Sequence, residues 1–156
     1  MTVTLWRIAA DAPTYTADDL SGTGASITGG RWNRVGVPLV YTSTSIALAA
    51  LEVLAHRNDA SLPLNRYLVC LTVPKPLWDS RTTVNAAALP IGWDASPAGM
   101  VSLDYLDAWR SGATSALYEI PSAIVPEEFN ILINPVHPDA SQITAAKTRR
   151  WLFDPR

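Results

Sequence analysis

Apolar and polar positions alternate in short runs along this chain, with one long exception. Val3-Thr4-Leu5-Trp6-Arg7-Ile8 alternates loosely and is rich in strand formers, which predicts a first β-strand. Residues 11–30, rich in Asp, Thr, Ser and Gly, read as loop. Val37-Pro38-Leu39-Val40-Tyr41-Thr42 predicts a second strand with its proline near the start. Thr42 to Ser45 then offers hydroxyls suited to a helix N-cap. The exception follows. Ile46 to Arg57 is nearly continuous in apolar residues and predicts the clearest helix, with Ala47, Ala50, Leu51 and Leu54 on one face, His56 and Arg57 at its end, and Asn58-Asp59 closing it.

Arg66 to Val73 predicts a third strand, and residues 74–98 a proline-punctuated loop with a short strand or turn near Leu77-Trp78-Asp79. Ser102 to Arg110 predicts a short helix ending before Gly112. Ala116 to Ile120 and Ala123 to Val125 predict a strand broken at Pro121-Ser122, and Glu128 to Pro135 a further strand. Pro138-Asp139-Ala140-Ser141 suits a short helix, and Trp151 to Asp154 a final strand. Twelve prolines, spread along the chain, favour short elements joined by turns. Many short strands around one strong helix predict an α+β fold, a compact sheet core with flanking helices.

Composition narrows the picture. The chain has 156 residues, the length of one domain, and 48% are hydrophobic against 17% charged, the balance of a packed protein. A net charge of −2 provides no global positive field for nucleic acid or an anionic membrane. The one cysteine, Cys70, rules out an internal disulfide and reads as a small hydrophobe in a strand. No secretory signal opens the chain, and no apolar run approaches the ~20 residues of a membrane-spanning helix. A soluble, cytoplasmic protein is expected.

Several residues stand out for their chemistry. Arg31 lies in Gly29-Gly30-Arg31-Trp32-Asn33, where glycines permit a sharp turn or a close approach and an arginine fork matches phosphate oxygens; a turn whose arginine meets a surface carboxylate fits the same spacing. Tyr41, at a strand end, suits stacking on a flat heterocycle or simple core packing. Glu52 is the only charge among ten helix residues, placed either at the helix's wet edge or for function. Ser122 follows Pro121 at a break, where a hydroxyl can face a ligand or merely close a turn. His56 and His137 have no metal-ligand spacing, and no dinucleotide or P-loop glycine motif is present.

The order Trp6-Arg7, Gly29-Gly30-Arg31-Trp32-Asn33, Val40-Tyr41, Ala50-Leu51-Glu52, Pro121-Ser122, Asn130, Leu132-Ile133-Asn134-Pro135 with His137-Pro138-Asp139, and Phe153-Asp154-Pro155-Arg156 resembles the RES domain over essentially the whole chain. The family's name-giving Arg, Glu and Ser fall on Arg31, Glu52 and Ser122. The resemblance implies the toxin of a bacterial type II toxin–antitoxin pair, neutralised by an Xre-like helix-turn-helix antitoxin, with a fold similar to ADP-ribosyltransferase toxins. It also implies attack on NAD+, as substrate rather than cofactor and with no metal. The bond broken would be nicotinamide–ribose, by hydrolysis or phosphorolysis, or else by transfer of ADP-ribose to a protein.

On that resemblance Glu52 would stabilise the developing oxocarbenium ion and Arg31 would anchor the pyrophosphate. Tyr41 would pack on nicotinamide or its ribose, Ser122 would hydrogen-bond the nicotinamide side or a phosphate, and Trp32 and Asn33 would complete the NAD+ contacts. A non-catalytic binding module, in which Arg31 and Glu52 support the fold, is the reading of a different class. Contact with DNA would fall to the antitoxin.

Overall fold

The computed structural model describes residues 1–56 and 63–154. Its centre is a seven-stranded mixed sheet built from β1 (Thr2–Ala10), β2 (Val40–Ser43), β3 (Arg66–Pro74), β4 (Thr82–Thr83), β5 (Leu117–Pro121), β6 (Phe129–Ile133) and β7 (Thr144–Trp151). The spatial order is β4-β5-β6-β2-β1-β3-β7. Every pairing is antiparallel except β4 with β5. Among the described residues four α-helices flank it: α1 (Thr23–Thr28), α2 (Ile46–Ala55), α3 (Lys75–Asp79) and α4 (Met100–Gly112). The expected α+β class, with helices beside a sheet core, is what forms.

Two apolar layers sandwich the β2–β6–β5 part of the sheet. Successive strand residues point to opposite faces, so Ile131 and Ile133 of β6 enter a cluster with Leu5, Val40, Val69 and Leu71. Leu132, between them, enters a second cluster with Trp32, Trp93, Leu106, Trp109 and Tyr118. Both faces being covered explains why these strands are apolar at consecutive positions. A third cluster seats α2 on the other half of the sheet, where Ile46, Ala49, Ala50 and Val53 meet Ile8, Leu68, Trp6, Trp151 and Phe153.

The differences from expectation have physical causes. α1 lies inside the predicted loop and buries none of its residues, so no apolar periodicity announces it. The segment at Leu77-Trp78-Asp79 is helical, opened by Pro76 in the first turn of α3, where a missing N–H costs nothing. Ala123 to Val125 do not form a strand: Ser122 Oγ accepts from the N–H groups of Ile124 (3.1 Å) and Val125 (3.2 Å), closing a turn instead. The last strand ends at Trp151, where it was expected to begin. Its Thr, Lys and Arg positions are exposed, and its main chain is held by the ladder to β3. Cys70 is only partly buried. Arg57 and Asn58-Asp59, the predicted end of the long helix, lie outside the described residues.

The buried side of α2 also differs. Ala47 and Leu51 are exposed, and the packed stripe is Ile46, Ala49, Ala50 and Val53. These positions obey the i, i+3, i+4, i+7 rule. In a helix apolar all round, that rule is satisfied by more than one face.

Candidate active site

The sheet is split at its middle. β1 and β2 pair at one position, Trp6↔Ser43, whereas β1 follows β3 from Thr2↔Pro74 to Ala10↔Arg66. Beyond Trp6, the two strands diverge, so Arg7 and Ile8 no longer meet Thr42 and Tyr41 in a ladder. The gap is the floor of a cavity of about 520 Å³, roofed by the 24–30 segment on one side and by Ala49, Glu52, Val53 and His56 of α2 on the other. That volume suits a small molecule of cofactor size.

Glu52 is placed by contacts far away in sequence. Ser45 caps α2, accepting from Leu48 N–H at 3.1 Å, and so sets where the helix starts after β2. Glu52 then falls on the cavity side, its side chain 20% exposed. Its Oε1 accepts from Ser122 Oγ at 2.6 Å and from Asn130 Nδ2 at 3.0 Å. Asn130 is itself oriented, because its Oδ1 accepts from Ser43 Oγ at 2.7 Å. Oε2 lies 3.6 Å from His56 Nε2, one helical turn on. Burial works to raise the pKa of Glu52, but His56, Ser122 and Asn130 together outweigh it and hold the carboxyl below its usual range. The result is a fixed anion at the wall of a cavity.

Ser122 is fully buried and does not line the cavity; its hydroxyl serves Glu52. Tyr41 does line it. The Tyr41 hydroxyl donates to Asn33 Oδ1 at 2.7 Å and accepts from Trp32 N–H at 3.0 Å. Burial pushes its pKa well above the ordinary phenol value, keeping it neutral. Its ring therefore presents a rigid wall. A Cβ on Gly30 would come within 2.7 Å of this hydroxyl, so only glycine lets the turn press so closely on Tyr41. Gly29 supplies a positive φ of 69° at the end of α1.

Trp32 and Asn33 were expected as NAD+ contacts, yet neither borders the cavity. Trp32 is buried and stacks with Trp93 at 6.1 Å between centroids. Asn33 is buried too and donates from Nδ2 to the carbonyls of Ala25 (2.8 Å) and Val37 (2.9 Å). They build the turn rather than the cavity wall. Arg31 is likewise absent from that wall. Its Nη1 donates to the carbonyls of Trp93 and Ala95, each at 2.9 Å, and its own carbonyl accepts from Ser102 Oγ at 2.6 Å. The arginine staples this turn to the 93–95 loop and to α4.

Among the described residues, the arginine in the cavity wall is Arg7. Its Nη1 donates to the carbonyl of Asp19 at 2.9 Å, and it forms no ion pair with any described carboxylate. Burial lowers its pKa from the ordinary value against the longer-range pull of Asp19 and Asp18. Arg7 also lines a second, smaller cavity of about 180 Å³ with Asp19, Gly22 and Leu39, so it stands where the two meet. Sequence reasoning gave no role to Arg7, His56 or Asn130. The signals were a lone cation in a half-apolar strand, an i, i+4 partner of Glu52, and a polar residue inside Phe129-Asn130-Ile131-Leu132-Ile133. Among the described residues, no three His, Cys, Asp or Glu side chains gather as a metal site would require. No described helix is long and apolar enough to cross a membrane.

A RES domain model matches residues 4–154. The chain belongs to the RES domain family. It is 56% identical over 156 residues to the Prs ADP-ribosylating toxin of Sphingobium sp. (strain YBL2), covering 100% of this chain and 97% of the relative. It is 36% identical over 125 residues to Toxin Res of Photorhabdus laumondii, covering 80% and 78%. Among solved structures, the toxin–antitoxin complex MbcT–MbcA of M. tuberculosis contains a chain that matches with a TM-score of 0.61 over 96% of this chain and 85% of that one. At 17% identity, that likeness establishes a shared fold. The sequence-level resemblance to RES-domain toxins is thus borne out for family and fold.

Proposed function

We propose that this protein is the toxin of a toxin–antitoxin pair and acts by breaking the nicotinamide–ribose bond of NAD+. The observation that carries this reading is the anionic Glu52 carboxylate in the cavity wall, its Oε1 held by Ser122 and Asn130. Nicotinamide departs neutral from a cationic precursor, so no acid is needed. The barrier lies in the positive charge that develops on the ribose, and a preorganised carboxylate stabilises such charge without reorganising. Arg7, desolvated and with no ion pair to any described carboxylate, suits the pyrophosphate. The Tyr41 ring would form a flat wall for nicotinamide or its ribose. Arg31 would act indirectly, by fixing the turn that presses Gly30 against Tyr41.

Transfer of ADP-ribose to a protein is favoured over hydrolysis or phosphorolysis by one observation, the name of the 56% identical relative. Its acceptor, Prs, is therefore the first protein to test. An antitoxin is the proposed partner, supported by the toxin–antitoxin nature of the complex that shares the fold; its Xre helix-turn-helix type is what the sequence resemblance implies.

The test is nicotinamide release from NAD+ by purified protein, alone, with phosphate, and with Prs. Turnover with wild type, a gain of ADP-ribose on Prs, and a loss of about 100-fold or more in Glu52→Gln are expected. Absence of nicotinamide release in all three conditions overturns the reading.

A further inference from the structure

The proposed reaction needs a group that accepts a proton, and one side chain bordering the cavity has the chemistry for it. Among the described residues, four titratable side chains line the larger cavity: Arg7, Tyr41, Glu52 and His56. Arg7 is a permanent cation. The Tyr41 hydroxyl donates its hydrogen bond to Asn33 Oδ1, and burial holds it neutral. Glu52 is held as an anion below the usual carboxyl range, which makes it a weak base, and its charge is needed opposite the ribose. An imidazole is the side chain suited to taking up a proton near neutral pH.

The position of His56 fits such a role. It follows α2 as its C-cap, its backbone N–H donating to the Glu52 carbonyl. Its side chain is 59% exposed, so one edge faces bulk water while the ring borders the cavity. At 3.6 Å, Nε2 and Glu52 Oε2 interact electrostatically but stand farther apart than a direct hydrogen bond. A hydroxyl arriving from outside can lie against both groups at once. Arg7 stands at the junction with the smaller cavity, whereas Glu52 and His56 border only the larger one. A dinucleotide held at Arg7 by its phosphates would therefore offer its reacting ribose at the His56 rim.

We propose that His56 is the acceptor-side base of this site, removing the proton from a hydroxyl acceptor as that oxygen attacks C1′ of the ribose. The inference rests on the NAD+ reading above. In the step, the C1′–N bond breaks and its electron pair leaves with nicotinamide, cancelling the ring's positive charge. The acceptor oxygen forms the new bond to C1′, and its proton passes to the imidazole and out through the exposed edge to solvent. The acceptor is a hydroxyl, supplied by water or by a protein side chain.

His56→Gln and His56→Asn test this in the full-length protein, with Kd for NAD+ from titration calorimetry and kcat from nicotinamide release. Unchanged Kd with kcat lowered about 100-fold is expected in both variants. Azide, an anionic nucleophile with no proton to lose, should then restore release in the variants while adding little to wild type. Running the assay with and without Prs shows whether the base serves a protein hydroxyl, water or both. Variants as fast as wild type, or slow variants that azide fails to rescue, overturn the assignment while leaving NAD+ cleavage intact. A wild type that neither binds nor cleaves NAD+ overturns both readings together.

Discussion

At the scale of single residues, the two oxygens of Glu52 have different tasks, and this separates two kinds of variant. Oε1 is occupied by Ser122 and Asn130, so Ser122→Ala should loosen and partly neutralise the carboxylate without touching the phosphate end of the cavity. A hydrogen bond to a charged group is worth roughly 1.5–3 kcal/mol, which corresponds to about a 10- to 150-fold fall in kcat. KM should stay within about twofold, the signature of an interaction that matters chiefly in the transition state. Arg7→Ala should do the reverse, raising KM for NAD+ at least about tenfold with a smaller change in kcat. Steady-state kinetics on the two variants decides it, and matching profiles would refute the division of labour. Glu52 was legible in the sequence because a lone charge among apolar neighbours is visible locally. The task of Ser122 was not, since its partner lies 70 residues away and only the fold brings them together.

At the scale of elements, α2 carries Glu52 and His56, and its start determines where both point. The β2–α2 junction is short: β2 ends at Ser43, and Ser45 caps the helix. Ser45→Ala should remove one N-terminal acceptor and cost about 1 kcal/mol. In a domain of this size that corresponds to a Tm lowered by roughly 2–4 °C, read by circular dichroism, with Ser45→Asp restoring it. An unchanged Tm in Ser45→Ala would show that tertiary packing alone sets the helix start. The sequence announced this helix clearly and its face poorly. Ile46-Ala47-Leu48-Ala49-Ala50-Leu51 offers an apolar stripe in any direction, so the packed side is chosen by Ile8, Leu68 and Trp151 across the interface. β7 shows the converse, a strand held by main-chain pairing whose exposed polar side chains mask it.

At the scale of the whole molecule, the cavity exists because the sheet parts between β1 and β2, and the charges facing it link folding to pH. Glu52 has a folded-state pKa below its ordinary value, so the unfolded chain binds that proton more tightly than the folded one. The stability it contributes is therefore fully present above the unfolded pKa and lost as pH falls through the folded pKa. Urea unfolding of wild type and Glu52→Gln at pH 7, 5 and 3.5 isolates that contribution, because the glutamine cannot titrate. Asp11 and Asp107 are also lowered, first by hydrogen bonds from Lys147 and from Arg34, but these exposed pairs are present in both proteins and cancel in the difference. The gap between the two proteins should shift against wild type from about pH 5 toward pH 3.5, over the window where the unfolded carboxyl gains its proton first. A gap independent of pH would mean that Ser122, Asn130 and His56 do not hold Glu52 ionised, and the electrostatic basis of the proposed site would fall with it.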